Sequence, residues 1–255
     1  MSPRAPTWPS AKCSETADPA TSPGSSPGWS GPARTEKARI ISMSLGSSSL
    51  HTQTDPTSRS VNRLSEETGA LFVIAAGDSG PGEYTVNALG TAAAALTVGA
   101  VDSTDQMAGF SSSGPREGDD GLKPDATAPG VNVLAARSHH TTGEGHYTVI
   151  CGTSMATPHV AGAAALLAQK HLDRSGQQLK DALMSTSKAT PDTSAYRGGT
   201  GRVDAAAAFG AGAVASGSID TGLIRWSRDP QPIERSVTYT NHGDTPVSLR
   251  LRSCV

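Results

Sequence analysis

The sequence predicts an α/β fold in which helices pack on a mostly parallel sheet. Strand-like runs rich in Val, Ile, Leu and Phe alternate along the chain with segments of helical periodicity. Parallel strands need crossover connections of this length, and a helix is the usual crossover. Helices are predicted at residues 57–67, 154–171, 177–184 and 203–209, so the pattern indicates an α/β sandwich.

The predicted strands follow in order from the N-terminal side. The run at 38–46 is β-branched and ends at Gly46, and the run at 71–80 is a buried strand that ends in a turn. A third buried strand is predicted at 95–101, and an extended loop broken by prolines at 123–130. A short β-rich run at 147–150 then leads into the helix that begins at Ser154.

Ser154 is the most conspicuous candidate for chemistry because it lies at this strand-to-helix turn. Backbone N–H groups and the positive end of the helix dipole favour a developing anion there. Gly152 leaves room for a substrate backbone, and Pro158 is expected in the first turn of the helix, where proline is tolerated. A Gly-Thr-Ser turn taken alone is more simply a helix cap.

The longer string Gly-Thr-Ser-Met-Ala-Thr-Pro-His, residues 152–159, resembles the serine motif of the subtilisin-like serine peptidases, the subtilases. The strand at 38–46 resembles the family's Ser-Leu-Gly strand, and the strand at 71–80 resembles its Ala-Ala-Gly-Asn turn. Taken alone, each of these strands is more simply a plain core strand. The resemblance covers roughly residues 34–210 and implies a three-layer sandwich, here incomplete, with a mostly parallel sheet.

The resemblance also implies roles for particular residues. Ser154 would be the nucleophile of a serine endopeptidase, and its own N–H and the side chain of Asp78 would lie in the oxyanion region. The substrate groove would be lined by Ser44, Leu45, Gly46, Ala75, Ala76 and Gly77. Asp78 stands where the family has asparagine, and an ionised aspartate accepts hydrogen bonds but donates none. Some related proprotein convertases also carry aspartate there.

A serine hydroxyl needs a histidine to take its proton and a carboxylate to orient that histidine. In subtilases both motifs precede the Ser-Leu-Gly strand, and nothing in this sequence matches them. His159 lies five residues after Ser154 and is expected to be packed and turned away from the hydroxyl. Solvated loop positions are predicted for His51, His139, His140 and His146. The chain itself is therefore expected to be nearly inactive.

Three regions are predicted along the chain. Residues 1–33 are dense in Pro, Ser, Gly and Thr and are either disordered or translated from a shifted frame. When residues 6–19 and 25–32 are back-translated with G/C-rich codons, a shifted frame encodes a credible strand and helix, which favours a frame change near Pro32. Residues 34–212 are predicted to be the C-terminal part of a peptidase domain. Residues 216–255 are predicted to be a truncated β-sandwich module, with strands at 223–227, 235–241 and 247–251.

Composition excludes several other classes. The formal net charge of −2 provides neither a basic nucleic-acid face nor a polybasic membrane anchor, and no apolar run is long enough to span a bilayer. The N-terminus lacks a signal-peptide pattern, whereas the resemblance implies a secreted or cell-envelope protein. Cys13, Cys151 and Cys254 have neither disulfide-framework nor zinc spacing, and Cys151 is expected to be buried.

The sequence suggests no metal or cofactor and does not indicate an oligomeric state; the expected partner is a polypeptide substrate. Two other readings stay open. The chain could be a non-catalytic remnant that binds peptide as an added strand along residues 44–46. It could also be a sedolisin-type peptidase, although the continuation after Met155 favours the subtilases.

Overall fold

A computed structural model describes Gly28 and residues 30–46, 54–219 and 233–250. Its central element is a parallel sheet of four strands in the order β1-β2-β3-β4. The strands are β1 (Ile40–Met43), β2 (Leu71–Ala75), β3 (Leu96–Val101) and β4 (Ala126–Pro129). Their register aligns Ile40 with Leu71, Val73 with Leu96, and Val98 with Ala126. The predicted α/β fold with a parallel sheet is therefore confirmed.

Helices cover both faces of the sheet. The helices are α1 (Pro56–Thr68), α2 (Thr153–Lys170), α3 (Gly176–Ser185), α4 (Ala195–Gly198) and α5 (Ala205–Gly210), with a π turn at Gly31–Thr35 and a 3₁₀ turn at Ala88–Thr91. Alternate residues of β2 enter two separate apolar clusters. Leu71 and Val73 pack in the cluster that contains α2 and α3, whereas Phe72 and Ile74 pack in the one that contains α1. This alternation explains why every residue of β2 is buried, and it makes the described core a three-layer structure.

Local capping residues mark both ends of α1 and the start of α5. Asp55 accepts hydrogen bonds from the N–H groups of Thr57 and Ser58 at the start of α1, and Gly69 ends that helix with φ +69°. Asp204 likewise caps α5 through the N–H of Ala207. The predicted helix at 203–209 therefore begins two residues later than expected.

The prediction of a proline-broken loop at 123–130 is wrong in part, because this segment contains strand β4. Pro129 is the last residue of that strand, where it pairs with Val101, and the next N–H, from Gly130, donates to Val101 O at 2.9 Å. The missing N–H of Pro129 costs little because β3 is the only strand paired with β4 among the described residues, and the isolated bridge on its other side is at Thr127.

Two small antiparallel pairs lie outside the main sheet. The predicted strand before Ser154 exists as β6 (Tyr147–Ile150), but it forms a hairpin with the unpredicted strand β5 (Val133–Ala136). Strand β7 (Ala213–Ala215) pairs with β8 (Tyr239–Asn241), which is all that forms of the strand predicted at 235–241. No strand forms at 247–250, contrary to prediction, and the strand predicted at 223–227 lies outside the described residues. The domain boundaries at 212 and 216 stay predictions.

An ion cluster is buried at the start of β4. Asp125 lies between two ammonium groups, with Oδ2 2.6 Å from Lys123 Nζ and Oδ1 3.0 Å from Lys180 Nζ. The ammonium groups also donate to backbone oxygens, including Ala95 O, which lies 3.0 Å from Lys123 and 2.7 Å from Lys180. Burial lowers the pKa of Lys123 from 10.5 to about 7, although the neighbouring carboxylate of Asp125 raises it.

This shift predicts a specific pH dependence of stability. The unfolded chain keeps the Lys123 proton up to its ordinary pKa of 10.5, whereas the folded chain releases it near pH 7. Since the unfolded state then binds more protons, we expect the free energy of unfolding to rise between pH 7 and 10, by up to about 1.4 kcal/mol per pH unit. Urea unfolding of the Lys123→Met variant should show a smaller rise. An equal rise in both proteins would contradict the prediction.

Candidate active site

The N-terminus of α2 positions Ser154 as the second residue of the helix, in agreement with the sequence. Gly152 precedes the helix with φ +152°, and its N–H donates to Gly130 O at 2.8 Å, which ties the turn to the end of β4. A Cβ on Gly152 would lie 3.0 Å from Asp78 Oδ2. Both the backbone angle and this close approach favour glycine.

Pro158 is the sixth residue of α2, so the expectation that it lies in the first turn is wrong. A proline at this position has no N–H to donate to the carbonyl oxygen of residue 154. The hydroxyl of Ser44 donates to that oxygen instead, at 2.8 Å. One hydrogen bond thus satisfies the carbonyl and joins the segment after β1 to the turn that carries Ser154.

Replacing Ser44 by Ala tests this connection. We expect a loss of about 0.5–1.5 kcal/mol in the free energy of unfolding, the usual net value of one hydrogen bond, because water can partly replace the hydroxyl at this exposed position. Chemical denaturation measures the loss. The Ser44→Thr variant, which retains a hydroxyl, serves as the control and should recover most of it, and equal losses in both variants would rule out the hydrogen bond as the cause.

Asp78 is held against the start of α2. Its Oδ1 accepts from the N–H and from the hydroxyl of Thr153, each at 2.8 Å. The same hydroxyl accepts from the N–H of Gly77 at 3.1 Å. The negative carboxylate therefore lies at the positive end of the helix, where it is stabilised. Oδ2, the oxygen beside Gly152, has no hydrogen-bond partner among the described residues.

Within the described part of the chain, neither the hydroxyl nor the N–H of Ser154 has a hydrogen-bond partner. His159 is exposed rather than packed as expected, and its Nδ1 lies 2.8 Å from Met155 O, which turns the ring toward its own helix. His139, His140 and His146 are exposed, as predicted, and His51 lies outside the described residues. No described histidine forms a hydrogen bond with Ser154.

Cys151 is exposed, so its predicted burial is wrong. It ends the exposed hairpin rather than a sheet strand, and its Sγ accepts from the N–H of Asn132 at 3.2 Å. Cys13 and Cys254 lie outside the described residues. Among the residues described, no group of three His, Cys, Asp or Glu side chains is arranged to hold a metal ion, and no helix has the length and apolar character needed to cross a membrane.

The residues predicted to line the substrate groove differ in their exposure to solvent. Ser44, Leu45 and Gly46 follow β1 and are exposed, whereas Ala75, Ala76 and Gly77 at the end of β2 are buried. Between the two segments lies Asn87, which the sequence did not single out. A Cβ added to either Gly46 or Gly77 would overlap its side chain. Only the tertiary structure shows the position of Asn87, because nothing in its local sequence places it between two strand ends.

Comparisons with known proteins identify the family of the chain. The Subtilase family, Peptidase S8, matches residues 18–212. The serine protease AprX of Bacillus subtilis is 36% identical over an alignment of 191 positions that covers 67% of this chain and 42% of AprX. Subtilisin Savinase of Lederbergia lenta is 39% identical over 169 residues, 66% of this chain and 55% of that protein.

Among solved structures, the prenylagaramide maturation protease PagA has a TM-score of 0.59 and 26% identity, over 71% of this chain and 64% of PagA. The chain thus spans less than two thirds of the length of these relatives. Because the family match covers most of the chain and includes the strand-to-helix turn at Ser154, the chain belongs to the subtilase family of serine peptidases.

Proposed function

We propose that this chain forms the serine-bearing part of an endopeptidase that cleaves polypeptides, with Ser154 as the nucleophile. The observation that carries the proposal is the arrangement at the start of α2. There the hydroxyl and the N–H of Ser154 both lack a hydrogen-bond partner among the described residues, which leaves both available to a substrate. Family membership supports the same role.

In the proposed reaction, Ser154 Oγ attacks the peptide carbonyl carbon while a histidine takes the hydroxyl proton. The carbonyl oxygen becomes an oxyanion, to which the Ser154 N–H donates a hydrogen bond, aided by the helix dipole. The substrate backbone pairs as an extended strand along residues 44–46. The carboxylate of Asp78 opposes the oxyanion, because it is an acceptor where a donor is needed.

The described residues supply no positioned base, so the chain alone is expected neither to cleave casein nor to react at Ser154 with a fluorophosphonate. In subtilisin, loss of the histidine alone lowers turnover about a millionfold. Mass spectrometry of the treated chain checks this. Stoichiometric labelling that Ser154→Ala abolishes would show that a base is present, and His51 and His146 would be the residues to test.

A gain-of-function experiment tests the proposal itself. The chain is joined to a preceding subtilase segment that carries the family's aspartate and histidine, and casein hydrolysis is measured. We expect activity that Ser154→Ala abolishes and that the control Ser60→Ala, a serine substitution within α1, leaves intact. Absence of Ser154-dependent hydrolysis in a folded fusion would contradict the endopeptidase proposal.

The alternative is a non-catalytic remnant that binds peptides. It is favoured by one observation, the absence of a histidine contact with Ser154 among the described residues. Peptide binding without hydrolysis in the fusion would support it. We further propose a secreted or cell-envelope location, on family grounds alone; fractionation of the producing cells, with immunodetection of the chain, tests this.

A further inference from the structure

A cavity of about 550 Å³ lies at the N-terminal ends of β1 and β2. It is bordered by the π turn at Gly31–Thr35, the residues that precede β1, the end of α1 and the loop between α2 and α3. Ser154 lies at the other edge of the sheet, at the opposite end of α2, whose 18 residues span roughly 27 Å. The cavity is therefore separate from the candidate active site.

Basic side chains dominate the lining of this cavity. Two of the lining side chains are acidic and four are basic, namely Glu67 and Asp173 against Arg34, Lys37, Arg39 and Arg174. The N-terminus of α3 and the C-terminus of α1 both border the cavity, so the two helix dipoles oppose each other there. The charged side chains therefore decide the potential of the cavity, which is positive.

Two of the four cations already have partners. Arg34 donates to Glu67 Oε2 from Nε at 3.1 Å and also from Nη2. Arg39 donates at 2.7 to 3.2 Å to three backbone carbonyl oxygens, those of Ala168, His171 and Arg174. The ammonium group of Lys37 is exposed and has neither a hydrogen bond nor an ion pair with any described residue. Lys37 is thus one cation that is left for a ligand.

Arg174 is the other cation without a partner. Its side chain is buried, with 4% of the residue exposed, and neither Nη1 nor Nη2 has a hydrogen-bond partner in the described part of the chain. Burial lowers the pKa of Arg174 and the nearby carboxylate of Asp173 raises it, but a guanidinium group stays charged in proteins. A buried charge without a partner destabilises the fold. A turn of this long side chain toward the cavity that it lines would bring its donors to an anion.

We propose that this cavity binds a phosphate group, either as inorganic phosphate or on a small phosphate monoester, and that Arg174 and Lys37 are its ligands. Such a group carries close to two negative charges above a pKa near 6, which compensates both unpaired cations, whereas a carboxylate compensates one. The planar fork of a guanidinium group binds two phosphate oxygens at once, and an ammonium group adds a point charge.

The size of the cavity and the separation of its residues define what binding does. A volume of about 550 Å³ falls within the usual range of small-molecule pockets, about 300–1,000 Å³, so a monoester fits as well as the free ion. Lys37 and Arg174 are distant in the sequence and meet at one cavity only in the folded chain. Phosphate therefore binds the folded state alone and stabilises it.

Isothermal titration calorimetry of the full chain at pH 8 tests the proposal. The probes are sodium phosphate, glycerol 2-phosphate and sodium acetate at matched ionic strength. We expect both phosphates to bind, and acetate to bind at least about tenfold more weakly. Tighter binding of glycerol 2-phosphate than of phosphate would identify a monoester as the ligand, and the reverse order the free ion. Dissociation constants do not depend on the fraction of folded protein.

Substitutions locate the site. Arg174→Met should weaken phosphate binding by at least about tenfold, since it removes a charged hydrogen bond. Lys37→Met, at an exposed position, should weaken it by about two- to fivefold. Arg116→Met is the matched control: Arg116 is equally buried but is paired with Asp119, and its substitution should leave the dissociation constant unchanged.

Three results would overturn the proposal: phosphate does not bind, acetate binds as tightly as phosphate, or Arg174→Met and Lys37→Met both bind phosphate as tightly as the unchanged protein. Where Arg174→Met shows no cooperative urea transition, Lys37→Met decides, because an exposed side chain can be replaced without loss of the fold. None of these results depends on Ser154, so they leave the proposed endopeptidase function untouched.

Discussion

Asp78→Asn is expected to raise turnover by about one to three orders of magnitude near neutral pH, measured in a fusion that supplies the catalytic histidine. Removing one oxyanion donor costs about 2.7–4 kcal/mol, a value measured on subtilisin. In this chain Oδ1 of Asp78 already accepts two hydrogen bonds from Thr153. Asparagine can keep both bonds with its own Oδ1 and present an N–H₂ donor in place of Oδ2.

Steady-state kinetics of casein hydrolysis by both proteins near neutral pH measures this gain. Asp102→Asn, an equivalent substitution in the turn after β3, is the control and should not change turnover. An Asp78→Asn protein no faster than its parent at any pH would mean that residue 78 does not face the oxyanion.

Asp125→Asn is expected to lower the free energy of unfolding by about 3–5 kcal/mol, because it leaves two buried ammonium groups without a counter-charge. A loss of this size is a large part of the total stability of an ordinary domain, about 5–15 kcal/mol. The pKa of Asp125 is lowered by the charges of Lys123 and Lys180 against the opposing effect of burial. The carboxylate therefore stays ionised, and stabilises the fold, at all pH values above its ordinary pKa of 3.8.

Urea denaturation of the variant at pH 5, below the pKa of Lys123 in the folded chain, measures the loss. A second substitution, Lys123→Met, should recover part of it, since it removes one of the uncompensated cations. Glu67→Gln is the matched control: Glu67 also contacts two cations, Arg34 and Arg63, but on the surface, and should show little change. Equal effects of the Asp125 and Glu67 substitutions would show that the buried cluster does not stabilise the fold.

The sequence alone determined three of the four strands of the main sheet, β1 to β3, and the helices α1, α2, α3 and α5. Residues 71–75 and 96–101 form strands buried on both faces, and their continuous apolar character already required this. The helices at 56–68 and 153–170 begin at local signals, Asp55 and Gly152, which are readable without tertiary contacts. Family membership was likewise readable, because the string around Ser154 is long and specific.

Tertiary structure decided what depends on residues distant in sequence. Strand β4 was missed because prolines mark loops locally, whereas pairing with β3 makes an edge strand there. The burial of Cys151 and the packing of His159 were wrong because exposure depends on neighbours that local sequence does not specify. The hydrogen bond from Ser44 to the Ser154 carbonyl joins residues 110 positions apart in the sequence. Asn87 likewise lies between Gly46 and Gly77, which are both distant from it in the sequence. Hydrophobic periodicity and helix caps are local properties of the sequence. The shape of the site and the positions of its hydrogen-bond donors arise only when separate strand ends meet in the folded chain.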